Sequence, residues 1–199
     1  TKQSLSSVHG MKRRTAQRFS YHRLEQCALA GSGDVVQQAA HDLCKAWGLI
    51  LESADEKNEM GETPMITAAA EGASGKALHM LQLAGVDING VRHSVLKNYG
   101  RQPVSTAFTA AARFGHLETV EALYELGANI HWTDWKGDSA LTKAAQHGHT
   151  DVVQRLVELG LDPNGLRTTF HALSPLMMAA HGGHCGVVAA LLRVGADVA

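Results

Sequence analysis

The stretch that decides the fold reads SALTKAAQHGHTDVVQRLVELGLD and occupies residues 139–162. The same pattern recurs as TAFTAAARFGHLETVEALYELGAN at residues 106–129 and as SPLMMAAHGGHCGVVAALLRVGAD at residues 174–197. A fourth, less regular copy begins with Thr63 and ends near Asn89. Such self-similarity indicates an array of stacked structural units, and arrays of this kind usually present a binding surface.

Each copy predicts two short helices followed by a finger. A serine or threonine opens the first helix as its N-cap, and a proline in the next position suits the first helical turn. Gly115, Gly148 and Gly183 are expected to end the first helices in a left-handed conformation. The apolar residues that follow, such as Val152 and Leu156, recur at helical spacing. Because one unit cannot bury its apolar face alone, we expect its stability to come from stacking.

This pattern resembles the ankyrin repeat, whose period is about 33 residues. The caps Thr106 and Ser139 are 33 residues apart, and the neighbouring intervals of 43 and 35 residues indicate insertions. The resemblance implies an all-α ankyrin-repeat solenoid over residues 22–199, with about five helix-turn-helix-hairpin units, of which the first is degenerate. The expected units cover approximately residues 22–56, 57–101, 102–133, 134–168 and 169–199. The chain departs from the family where a motif histidine is replaced by Ile66, Thr109, Thr142 and Met177, so we expect a weaker side-chain cap there.

Charge is distributed unevenly along the chain. The first 23 residues carry six basic and no acidic residues, and the remainder carries 12 basic and 19 acidic residues. This acidic body would repel phosphate, which argues against nucleic acid as the partner, although salt-sensitive contact through the N-terminal arm stays open. Residues 1–21 are predicted to form a basic flexible arm, and a processed organelle-targeting segment is the alternative. No apolar stretch approaches the roughly 20 residues that a transmembrane helix needs.

Nothing in the sequence predicts a catalytic, metal or cofactor site. The Gly-His turn recurs at His116, His149 and His184, where the resemblance implies a structural role. His147 and His181 lie about one repeat apart, too far for an expected shared metal ion. The three cysteines form no CxxC pair and are expected to be buried, reduced thiols in an intracellular reducing compartment, the cytoplasm or nucleus. They are Cys27, Cys44 and Cys185.

The resemblance implies that a protein partner binds the concave face, which the fingers and the first helices form. The residues predicted to contact it are Arg92, Lys97, Tyr99, Arg101, Arg113, Phe114, Trp132, Trp135, Lys136, His147, Arg167 and Phe170. Their basic and aromatic character suits an acidic segment of a partner, because aromatic rings bury large rigid areas and cations pair with carboxylates. Two alternatives stay open: neighbouring acidic fingers neutralise these cations, and the rings are structural, with Phe114 packed on the adjacent finger and Trp132 holding its hairpin together.

The last repeat predicts a second contact surface. Its second helix carries Arg193 as its only charge, whereas a terminal repeat normally needs a polar outer face. We therefore expect an apolar C-terminal face that a further repeat or another subunit covers. Its predicted residues are Val187, Val188, Leu191 and Leu192.

The functional prediction is a non-catalytic protein–protein interaction module, acting as an adaptor or as a subunit of a larger assembly. A regulatory or substrate-recruiting ankyrin segment of a longer enzyme is the alternative. Both rest on the resemblance, because a repeat fold by itself does not name a partner.

Overall fold

A computed structural model describes residues 61–83, 85–96, 100–165 and 173–198. The predicted arm at residues 1–21 and the predicted degenerate unit at residues 22–56 lie outside this part of the chain. The described residues form eight helices and one antiparallel pair of strands. The helices are α1 (Pro64–Ala70), α2 (Gly75–Leu83), α3 (Ala107–Phe114), α4 (Leu117–Glu125), α5 (Ala140–His147), α6 (Thr150–Glu158), α7 (Pro175–His181) and α8 (Cys185–Arg193), and the strands are β1 (Arg92–Leu96) and β2 (Gly100–Ser105).

The first helix of each pair begins at a predicted cap. The hydroxyl oxygens of Thr63, Thr106, Ser139 and Ser174 accept the backbone N–H three residues later, at 3.2 to 3.3 Å. Thr109 occupies one of the positions where the family's histidine is replaced. Its hydroxyl accepts the backbone N–H of Thr106 at 2.9 Å and completes a capping box. A local cap is therefore present at Thr109 despite the replacement.

The helix pairs stack in two layers, as predicted. Helices α1, α3, α5 and α7 each pack on the next in one layer, and α2, α4, α6 and α8 do so in the other. Paired alanines such as Ala144 and Ala145 are fully buried and let the first helices approach closely, and Phe108 and Leu156 are buried in the same hydrophobic core. Burying one such large side chain contributes about 1.5 to 3 kcal/mol. Four helix pairs are described, so the predicted total of five units stays a prediction.

The insertion after Asn89 forms a β-hairpin. Strands β1 and β2 are antiparallel, with Arg92 opposite Ser105. The backbone N–H of Trp135 donates to the carbonyl oxygen of Pro103 at 3.1 Å, so this hairpin contacts the following finger. None of the helices in the described residues is long and apolar enough to cross a membrane.

Cys185 corrects the prediction of buried thiols. It is a free cysteine with an exposed side chain at the start of α8. Residues two positions apart on a helix point in directions about 200° apart, and Val187 is the residue that faces the core. Cys185 therefore faces away from the stack. The predictions for Cys27 and Cys44 lie outside the described residues.

Candidate partner-binding surface

The Gly-His turns lock each helix pair to the one before it. The Nε2 atoms of His116, His149 and His184 lie 3.1, 2.9 and 3.0 Å from backbone carbonyl oxygens of the preceding pair. Those oxygens belong to Ala70, Arg113 and Gln146, respectively. Because a carbonyl oxygen only accepts, each Nε2 carries the hydrogen and donates it. The structural role predicted for these histidines is thus confirmed.

A cleft of about 250 Å³ opens on the side of the fingers and the first helices, between the hairpin and helices α3 and α5. It brings together three of the predicted contact residues, Arg92, Arg113 and His147, from one strand and two helices. The remaining lining residues are Val104, Ser105, Thr109, Lys143 and Gln146. Sequence reasoning missed Val104, Thr109 and Lys143 as parts of this surface, because Val104 is an ordinary strand residue and the other two stand inside the repeat motif and carry no separate signal.

Two of the cations at the cleft are paired within the chain. Arg92 Nη1 lies 2.7 Å from Glu62 Oε1, so the alternative of neutralisation between neighbouring fingers is confirmed for Arg92. Lys143 Nζ lies 3.0 Å from Asp134 Oδ2 and 2.5 Å from Asp138 Oδ2. By contrast, Arg113 forms no ion pair with a carboxylate of the described residues.

Two aromatic rings near the cleft each carry a cation. The guanidinium carbon of Arg113 lies 5.5 Å from the centre of the Phe114 ring, and Lys136 Nζ lies 5.2 Å from the centre of a Trp135 ring. Such contacts hold a cation over the ring face. Phe114 is 50% exposed, whereas Trp135 and Trp132 are half-buried. Of the three predicted aromatic contacts that are described, Phe114 therefore offers the most accessible ring.

His147 is exposed at the end of α5, and its position is set by its own helix. Its Nδ1 donates to the carbonyl oxygen of Lys143 at 2.9 Å, and its ring stacks parallel to that of His149 with 6.3 Å between centres. No group of three or more His, Cys, Asp and Glu side chains within the described ranges could hold a metal ion. The predicted contacts Lys97, Tyr99, Arg167 and Phe170, and the side chain of Arg101, lie outside the described part and stay predictions.

At the C-terminal end, the prediction of contact residues was wrong for Val187 and Leu191. Both side chains are fully buried, because they stand four residues apart on the side of α8 that packs on α6 and α7. Val188 is half-buried against the core, and Leu192 is 45% exposed.

Apolar side chains at this end are also exposed just before and on α7, at Leu173 and Met177, each 50% exposed, and after α8, at Val194 and Val198, which are 45% and 82% exposed. Thr142 stands at the same repeat position as Met177 one unit earlier and is only 3% exposed. In the earlier unit, α7 packs on α5 and covers this position. Aligning the repeats would have found Met177, because it replaces a threonine found in two earlier copies.

Comparison with known protein families matches residues 108–199 to ankyrin repeats, in three copies. The match begins within α3 and includes α4 to α8. Helices α1 and α2 precede it and stack on α3 and α4 in the same two layers. A comparison with curated proteins gave no match.

Proposed function

Because residues 108–199 of this chain belong to the ankyrin-repeat family, we propose that the protein is a non-catalytic module that binds a protein partner on the concave face of its stack. Ankyrin repeats generally mediate protein–protein interaction, and domains built from them are typically non-catalytic. The specific role that we propose is that of an adaptor or a subunit of a larger assembly.

The exposed ring of Phe114 is the observation that carries this proposal. It stands at the end of α3 beside the cleft and is 50% exposed, whereas Phe108, the other large apolar side chain of α3, is buried. Half of a phenylalanine is about 100 Å² of apolar surface, and burying it would contribute about 2.5 kcal/mol at most. Aromatic and arginine side chains are the residue types that most often dominate interface energies, and Arg113 lies against this ring.

A second surface supports the adaptor or subunit role. Leu173, Met177 and Leu192 expose about half of their side chains at the C-terminal end of the stack. This end would accept another apolar surface while the concave cleft binds its own partner. The exposed thiol of Cys185 favours a reducing, intracellular setting, since such a thiol is readily oxidised elsewhere.

Site-specific photocrosslinking tests the proposal with a matched pair of positions. A photoreactive phenylalanine analogue replaces Phe114 in one variant and Tyr124 in the other, because these rings are similarly exposed, at 50% and 44%, on the first and second helix of one pair. In the cells that make the protein, position 114 should yield a discrete crosslinked partner that position 124 does not. Equal yields of the same partner at both positions, or none at position 114, would contradict binding at the concave face.

A further inference from the structure

One of the cationic groups that line the cleft has no carboxylate partner within the described part of the chain. Three cations line it, and Lys143 is held by the carboxylates of Asp134 and Asp138. Arg92 is neutralised by Glu62. Arg113 has no carboxylate partner among the described residues, so its charge remains available to a bound group.

Both arginines keep unused hydrogen-bond donors. Arg92 bonds Glu62 through Nη1, and its Nη2 forms no hydrogen bond with the described residues, whereas its Nε is buried and out of reach of a bound group. The guanidinium carbon of Arg113 lies 5.5 Å from the centre of the Phe114 ring, and its N–H groups form no hydrogen bond with the described residues. A planar carboxylate matches the fork of N–H groups at a guanidinium edge, often through two parallel hydrogen bonds.

The neutral groups of the cleft have fewer donors to give. The hydroxyls of Ser105 and Thr109 donate to the carbonyl oxygen of Thr106, at 3.2 and 3.1 Å. The Nδ1 hydrogen of His147 is directed to the carbonyl oxygen of Lys143. Among the described residues that line the cleft, spare donors therefore come from the two guanidinium groups, the Gln146 amide and the third N–H of the Lys143 ammonium, a set that favours a charged acceptor over a neutral one.

The size of the cleft indicates what kind of molecule carries that acceptor. Pockets for free small ligands usually measure about 300 to 1,000 Å³, and the cleft, at about 250 Å³, is smaller. It has room for one or two side chains of a docked chain. The half-exposed ring of Phe114 borders Arg113, so an apolar residue would find a contact next to the bound acid.

We propose that this cleft is a carboxylate subsite, in which Arg113 binds an aspartate or glutamate that stands beside a large apolar residue in a protein partner. The inference rests on the proposed function, because it names the chemistry of the partner that the concave face binds. Arg113 supplies the free charge, and Arg92 and Gln146 supply further donors to the same group.

The proposed function and the carboxylate subsite can be tested separately by selecting peptides from a random library that is displayed on phage and panned on the full chain. Selected peptides should be enriched in an acidic residue next to a large apolar one. Replacing the acidic residue of a selected peptide by its amide should lower the peptide's affinity for the unchanged protein at least about tenfold. The acidic peptide should lose as much affinity when it is measured against the Arg113→Gln protein. Arg113→Lys should fall between, because lysine keeps the charge but not the fork. Arg193→Gln removes the same charge at the exposed end of α8 and should change affinity less than about twofold.

Each contrary result has its own meaning. Peptides that bind, lose affinity in Phe114→Ala and carry no acid would overturn the carboxylate subsite and leave the proposed function standing. Acidic peptides that bind Arg113→Gln as well as the unchanged protein would also overturn it, because the acid then binds elsewhere. If no peptide is selected, both the proposed function and the subsite fail. The comparison of acid with amide peptides uses the unchanged protein, so it holds even if a protein variant folds poorly.

Discussion

Replacing Gly115 by alanine should destabilise the stack through a contact between two helix pairs. Gly115 ends α3 with φ at 78°, in the left-handed region. A Cβ atom there would lie 2.4 Å from Nδ1 and 2.6 Å from Cε1 of His149. Real Cβ atoms do not come that close to ring atoms, so the histidine must move. Its hydrogen bond to the carbonyl oxygen of Arg113 would then be lost or stretched.

Two separate costs make up the expected loss of stability. A non-glycine residue in the left-handed region costs about 1 to 2 kcal/mol. Losing the bond between His149 and Arg113 costs about 0.5 to 1.5 kcal/mol more, because the carbonyl oxygen loses its partner. We therefore expect Gly115→Ala to lower the free energy of unfolding by about 2 to 3 kcal/mol.

Gly183→Ala is the matched control for this variant. Gly183 stands at the same repeat position with φ at 72°, but a Cβ atom there meets nothing within 4 Å. It should incur the conformational cost alone, about 1 to 2 kcal/mol. Urea unfolding of both variants, followed by circular dichroism and by tryptophan fluorescence, measures the difference, and coincident transitions would justify a two-state fit.

A double-mutant cycle separates the cost of the left-handed backbone at residue 115 from the cost of the contact between the added Cβ atom and the His149 ring. In a His149→Ala background the ring is gone, so adding Gly115→Ala should cost no more than Gly183→Ala does in the unchanged protein. The reasoning would be refuted if Gly115→Ala and Gly183→Ala were equally destabilising, or if removing the His149 ring left the cost of Gly115→Ala unchanged.

Four further substitutions test the finger, the last helix and the concave face. Asp134→Ala should lower the free energy of unfolding in urea by about 1 to 3 kcal/mol, because Asp134 accepts two backbone N–H groups of its finger and pairs with Lys143. Leu191→Ala should cost about 2 to 5 kcal/mol and Leu192→Ala less than about 1 kcal/mol by the same measurement, since the first side chain is fully buried and the second is 45% exposed. Trp135→Ala should weaken binding of the crosslinked partner by more than about 1 kcal/mol in a titration and leave thermal unfolding nearly unchanged; equal losses in both would make Trp135 structural.

The elements of the fold were predictable because their signals are local. The caps at Thr106 and Ser139 and the left-handed Gly115 act within one turn of helix, and the sequence displays them in register. Burial on α8 was misjudged, because an apolar run such as Val187 to Leu192 does not by itself reveal which side faces the stack. That side is set by the packing of α8 on α6 and α7, which lies outside any window of sequence.

The types of residue that line the cleft could be predicted from the sequence, but which of them come together in space could not. Arg92, Arg113 and His147 stand on three different elements, β1, α3 and α5, and only the stacking of α3 on α5 and the inserted hairpin bring them together. Whether Arg92 met an internal carboxylate or stayed free depended on where Glu62 lies relative to the hairpin. The sequence shows that Arg92 and Glu62 are both present, but it does not give the distance between their side chains.

In the turn at the end of α3, the backbone of a residue stabilises the stack while its side chain is available for binding a partner. The carbonyl oxygen of Arg113 accepts the hydrogen bond from His149 that joins two helix pairs, while its side chain lines the cleft. Gln146 repeats this arrangement one unit later, with its carbonyl oxygen bonded to His184 and its side chain at the same cleft. Backbone groups are the same in every residue type, so these positions can change their side chains without losing the bonds that hold the stack. For that reason a partner's chemistry can be selected at Arg113 and Gln146 at little cost in folding, and the Gly-His turns beside them cannot vary in the same way.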